Sequence, residues 1–108
     1  DRDSVFVAHR AKNVRTMEDV HDVVALVRAS VGDGPHHPAM YGYVLPNGNQ
    51  GFEDDGERYG GKKILETLLD RGAQGMLVVV TRWFGGTLLG QMRFVHIARV
   101  THDILDVQ

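Results

Sequence analysis

Gly75-Met76-Leu77-Val78-Val79-Val80-Thr81 is a nearly continuous apolar run with three valines at its centre. It lacks the in-out alternation of a half-solvated strand, so it predicts a strand covered on both faces or central in its sheet. The rest of the chain is read as what surrounds it. Just upstream, Gly60-Gly61-Lys62-Lys63 opens a helix whose Ile64, Leu65, Leu68 and Leu69 make one apolar stripe, closed by Arg71-Gly72. Just downstream, Arg82-Trp83-Phe84-Gly85-Gly86 forms a glycine-rich junction into a last helix over residues 88–105. There Phe94, Ile97, Ala98, Val100, Ile104 and Leu105 are available for packing, with Arg93, His96, Arg99 and Asp103 mainly on the other side.

Further out, Met40-Tyr41-Gly42-Tyr43-Val44-Leu45 reads as a strand. Pro46-Asn47-Gly48-Asn49 turns it into a short extended piece at residues 50–53, which makes a hairpin. The aperiodic stretch from Gly32 to Pro38 is a loop. Before it, Thr16 caps a helix starting at Met17, with Asp19 completing an approximate capping box. Val20, Val23, Val24 and Val27 follow at helical spacing, and the helix ends near Ser30. Residues 4–9 make an opening strand. The order β-α-β-β-α-β-α predicts one α/β domain over residues 1–108, a two-layer sandwich of a mixed sheet with helices on one face.

Composition narrows the function classes. A chain of 108 residues with 43% hydrophobic and 24% charged residues suits one folded domain with one core, far from the balance of a disordered segment. The formal net charge of −2 removes the global basic field of a dedicated nucleic-acid binder, leaving only a local patch for such a role. With no cysteine there is no disulfide framework or zinc-thiolate site, which fits a reducing compartment and points to the cytoplasm. No apolar run is long enough to span a membrane, and the N-terminus lacks the layout of a secretory signal. The chain opens at Asp1 rather than Met, which suggests a domain excised from a longer protein.

Several clusters invite a chemical reading. Glu53-Asp54-Asp55-Gly56-Glu57 is the densest in charge, but an EF-hand register through Gly56 would put Gly51 and Lys62 at ligand positions, so that motif is rejected. The acids form either a solvated turn ahead of a helix N-terminus, or an acidic contact surface or pair with Arg82; metal binding ranks third. Gly60-Gly61-Lys62-Lys63 resembles the end of a phosphate-binding loop, but it lacks the earlier glycine and the following Ser/Thr. A close approach of backbone to the sheet explains these glycines better. Arg82-Trp83-Phe84-Gly85-Gly86 places a cation and two aromatics at a strand end, where α/β sheets hold ligands and interfaces find anchors. The bland reading puts Trp83 or Phe84 in the core and Arg82 against Asp54 and Asp55. Six histidines show no metal-site spacing, and adjacent His36-His37 reads as ordinary exposed loop. No nucleophile stands with a base, so no catalytic residue, metal or cofactor is assigned.

Taken together, Glu53-Asp54-Asp55-Gly56-Glu57, Gly60-Gly61 with Ile64-Leu65, and Val78-Val79-Val80-Thr81-Arg82-Trp83-Phe84-Gly85-Gly86 running on to Leu89-Gly90 resemble the IMPACT family. Arg93-Phe94 and His96-Ile97 resemble its eukaryotic branch. The family's usual His-Asn pair before the Tyr-x-Tyr strand is replaced by Pro38-Ala39, with His36 or His37 as substitutes from a shifted loop. The resemblance implies the α/β sandwich of ribosomal-protein and elongation-factor domains, and a C-terminal position behind an RWD domain missing here. It further implies a negative regulator of the general amino-acid control kinase, the one acting on initiation factor 2 alpha. Such regulators compete for the kinase activator on the ribosome and bind monomeric actin.

This half alone would then carry the actin or an accessory contact, as a regulatory domain rather than an enzyme. Asp54, Asp55, Glu57, Arg82, Trp83, Arg93 and His96 are its expected partner-binding residues, with Gly60, Gly61, Gly85 and Gly86 as an anion or ligand crevice. The alternative is RNA or ribosome binding through a basic face of Arg82, Arg93, Arg99, Lys62 and Lys63.

Overall fold

The computed structural model describes residues 4–85 and 88–107. Its elements are β1 (Val5–Lys12), α1 (Met17–Val31), β2 (His37–Val44), β3 (Gln50–Glu53), α2 (Gly60–Asp70), β4 (Met76–Trp83) and α3 (Met92–Asp106). The α/β class and the β-α-β-β-α-β-α order are those read from the sequence. The strands form one sheet in the order β1-β4-β2-β3. β4 pairs along its whole length with β1, from Val5 opposite Trp83 to Lys12 opposite Met76, and on its other side with β2.

Every pairing is antiparallel, which corrects the expected mixed sheet. β1 and β2 both run opposite to β4; because β4 lies between them, their parallel directions never meet as neighbours.

The helices also divide between the two faces rather than sharing one. Leu77 and Val79 of β4 pack with Val20, Val24 and Val27 of α1. Val78 and Val80 pack with Ile64, Leu65 and Leu68 of α2 and Ile97 of α3. All four β4 residues are fully buried. Alternate side chains of a strand point to opposite faces, so a strand apolar at every position needs a helix on each side.

Thr16 caps α1 as expected: its hydroxyl accepts from the Asp19 N–H at 3.1 Å, and the Asp19 carboxylate accepts from the Arg15 and Thr16 N–H groups at 2.9 and 3.3 Å. Those backbone donors, Arg15 first, hold the Asp19 carboxyl below its ordinary value.

Several boundaries move. β4 runs on through Arg82 and Trp83, so these residues stand in the sheet and not in a junction after it. β2 starts earlier, at His37, with an irregular register between His37 and Met40. α3 starts at Met92 rather than residue 88, after a turn at Gly90 and Gln91. Leu69, read as part of the buried stripe of α2, is 45% exposed. No helix among the described residues is long and apolar enough to cross a membrane.

Candidate functional site

The loop between β3 and α2 is built by its own carboxylates. Asp54 accepts from the N–H groups of Tyr59 at 3.0 Å and Gly61 at 2.9 Å, so it supplies the cap that the N-cap residue Tyr59 does not. Asp55 accepts from the Ala39 N–H at 2.8 Å and pairs with Arg28 at 2.9 Å, tying the loop to β2 and α1. The price is two non-glycine residues in the left-handed region, Asp55 at φ 49° and Tyr59 at φ 65°. Gly61 is required on steric grounds: a Cβ there would run into the backbone carbonyl of Glu53.

That loop delivers Glu57 into the interior, where it meets Arg82. Glu57 is 1% exposed and Arg82 2% exposed. One guanidinium nitrogen of Arg82 donates to both carboxylate oxygens, at 2.7 and 2.9 Å. Arg93 of α3 donates to the second oxygen at 3.2 Å, and the His37 Nε2 lies 3.5 Å from the first. The His37 Nδ1 lies 3.2 Å from the Asp55 carbonyl, which can only accept. Phe84 and Phe6 flank the Arg82 guanidinium, with ring centres 4.3 and 5.1 Å away. The Phe84 N–H donates to the His36 Nδ1 at 3.2 Å, and the two rings lie 5.0 Å apart. Among the described residues, the buried Nε atoms of Arg82 and Arg93 have no hydrogen-bond partner.

One carboxylate thus holds two guanidinium groups and joins β2, the 54–59 loop, β4 and α3. A buried pair of this kind adds little net stability over an apolar substitute, but losing one member strands a charge in the interior. Its chemistry is that of a structural clamp: both carboxylate oxygens of Glu57 accept hydrogen bonds from guanidinium groups.

The expected site residues fall into distinct places. Glu57 and Arg82, expected as contact surface, are enclosed in the interior, so neither presents its side chain to a partner in this conformation. The partner of Arg82 is Glu57, and not Asp54 or Asp55. Arg93 reaches inward to Glu57 instead of lying on the outer side of α3. His96 also turns inward and stacks on Phe6 with ring centres 5.4 Å apart; burial first, then positive charges including Arg99 and Arg82, lowers its pKa. Trp83 is half-buried, its indole beside the loop at Gly34.

Gly60 and Gly61 are buried and their N–H groups are engaged, by the Glu57 carbonyl and the Asp54 carboxylate, so they offer no donors to an anion. Gly85 is exposed, and Gly86 lies outside the described residues. His37 and Phe6 were missed. His36-His37 reads as exposed loop in sequence, and the signal that could have found His37 is the replacement of the His-Asn pair by Pro38-Ala39 just before Tyr41-Gly42-Tyr43. Among the described residues, no group of three or more His, Asp or Glu side chains could hold a metal ion.

Fold and site together define an α/β domain locked by a buried carboxylate–guanidinium clamp. The family model of the Impact N-terminal domain matches residues 2–105. The chain belongs to that family. The matching model is that of an N-terminal domain, which corrects the expected C-terminal placement. The chain is 40% identical to the Protein IMPACT homolog of Dictyostelium discoideum over 99% of its length, covering 32% of that protein. It is 37% identical to the Protein IMPACT homolog of Caenorhabditis elegans over 97% of its length, covering 43% of that protein. The chain therefore spans less than half the length of these relatives.

Among solved structures, a crystal structure of a hypothetical protein aligns with a TM-score of 0.85 at 28% identity, over 97% of this chain and 53% of the other. The two-domain translational regulator Yih1 aligns with a TM-score of 0.57 at 28% identity, over 95% of this chain and 42% of the other.

Proposed function

We propose that this chain is a regulatory protein-interaction domain of translational control and not an enzyme. The observation that carries the reading is its kinship, over nearly its whole length, with the translational regulator Yih1 and with IMPACT homologues. The clamp agrees with it, since the ionisable groups that would invite a catalytic reading hold one another in place. In finer terms, the domain restrains the general amino-acid control kinase pathway in the cytoplasm, through the kinase activator on the ribosome or through monomeric actin. Asp54, Asp55, Trp83, Arg93 and His96 are the partly exposed members of the partner-binding set, and Glu57 and Arg82 are the enclosed ones. Of the cations in the RNA reading, Arg82 and Arg93 are engaged by Glu57, leaving Lys62, Lys63 and Arg99.

Affinity capture from eukaryotic cytosol, read by mass spectrometry, tests the proposal. Enrichment of translation-control proteins or actin, reduced by Trp83→Ala at unchanged Tm, supports it. Enrichment of ribosomal RNA that nuclease removes, or of nothing specific, overturns it.

A further inference from the structure

α2 and α3 lie side by side on one face of the sheet with their N-termini at the same end: Tyr59 and Lys63 border Gln91 and Phe94, while Arg71 at the far end donates to the carbonyl of His102 and the carboxylate of Asp106. Between them runs a groove made of two adjoining depressions of about 670 and 480 Å³, which share Lys63, Gln91 and Phe94. Its larger part has an apolar floor from Phe94, Val95 and Ala98, and Val95 is 46% exposed.

The rim is cationic although the chain as a whole carries a formal charge of −2. Lys62, Lys63 and Arg99 line the groove with Glu66 and Asp103, and Glu66 is held by Lys63 at 3.8 Å. Among the described residues, neither Lys62 nor Arg99 has a carboxylate within 4.0 Å. The α3 helix also points its positive dipole end at this end of the groove, with no side-chain cap from Gln91 and no acidic residue in its first turn, whereas the N-terminus of α2 is already capped by Asp54. An apolar floor inside a cationic rim is complementary to a segment that is apolar on one side and acidic on the other.

The aromatic end of the groove adds cations to the rim. Arg58 and Lys62 lie over the Tyr59 ring at 5.0 and 6.0 Å, and among the described residues neither has a carboxylate within 4.0 Å, whereas Arg93 beside Phe94 is taken up by Glu57. These cations favour the carboxylates of a protein segment, and stacking of bases on the same rings is the competing outcome in the test below.

We infer that the α2–α3 groove docks an acidic, amphipathic segment of a protein partner. Lys62 and Arg99 pair with its carboxylates, and its apolar side chains enter over Phe94, Val95 and Ala98. The inference rests on the interaction-domain reading above and gives that reading a surface.

The test is NMR titration of the labelled domain with three probes: a synthetic helical peptide with Leu on one face and Glu on the other, the same peptide with Lys for Glu, and oligouridine. The acidic peptide should shift amides within residues 59–66 and 91–103. The doubly reversed variant Lys62→Glu/Arg99→Glu should weaken it about tenfold, and Ala98→Asp should remove it, with Tm confirming that both variants fold. No shift from the acidic peptide, equal binding of the basic one, or oligouridine shifting the same amides overturns the groove assignment. Cytosolic capture with the doubly reversed variant separates the two claims. If translation-control proteins are still captured, the groove fails and the broader reading stands; if the wild type captures none while the peptide binds, the broader reading fails alone.

Discussion

At position 57 a carboxylate with 1% exposure accepts three hydrogen bonds from two guanidinium groups. Glu57→Ala leaves Arg82 charged and enclosed between Phe6 and Phe84, and should cost about 3–5 kcal/mol in urea unfolding. Replacing both members, as Glu57→Leu with Arg82→Met, should recover most of that loss; a double variant as unstable as the sum of the singles would refute the clamp. Gly61→Ala should cost about 1–3 kcal/mol, because its new methyl meets the backbone of Glu53 and not a side chain that can move. A loss of a few tenths would show that the loop can shift. The sequence makes Arg82 conspicuous but cannot pick its partner among Asp54, Asp55 and Glu57. That choice depends on Asp54 and Asp55 being bound to backbone N–H groups, which only the folded loop reveals.

Elements whose boundaries depend on local chemistry were legible, and those set by distant contacts were not. The start of α1 follows from Thr16 and Asp19, which satisfy backbone donors within the same turn. β4 overruns its expected end because β1 pairs opposite Arg82 and Trp83, a contact from the far end of the chain. The cap also makes a pH-dependent prediction. The folded Asp19 carboxyl sits below its ordinary value of 3.8, so its contribution is fully present at higher pH and fades as pH falls through the folded value. Asp19→Asn should therefore lower Tm at neutral pH, and the gap from wild type should close below about pH 4. A gap that stays constant across that range would assign the effect to packing. Thr16→Ala, which removes the reciprocal bond, should cost about 1 kcal/mol.

Across the molecule, two apolar cores are separated by the sheet and joined through it: Leu77 and Val79 belong to one, Val78 and Val80 to the other. Element order predicts three helices and four strands but does not say which face α1 takes, since a helix after β1 can cross on either side. The valine run carries the missing information, because both of its faces need cover. This sharing also fixes how the molecule should unfold. Neither core can open without exposing one face of β4, so the two should be lost together in one transition. Val20→Ala, under α1, should cost about 1–3 kcal/mol, and Leu68→Ala, under α2, about 2–5 kcal/mol. Trp83, the single tryptophan, reports from the end of β4, while far-UV circular dichroism reports all three helices. In both variants the fluorescence and dichroism curves should coincide at a common lower midpoint. If Val20→Ala instead lost helical signal before Trp83 responded, α1 and its core would be a separate unit docked on a sheet that α2 and α3 hold by themselves.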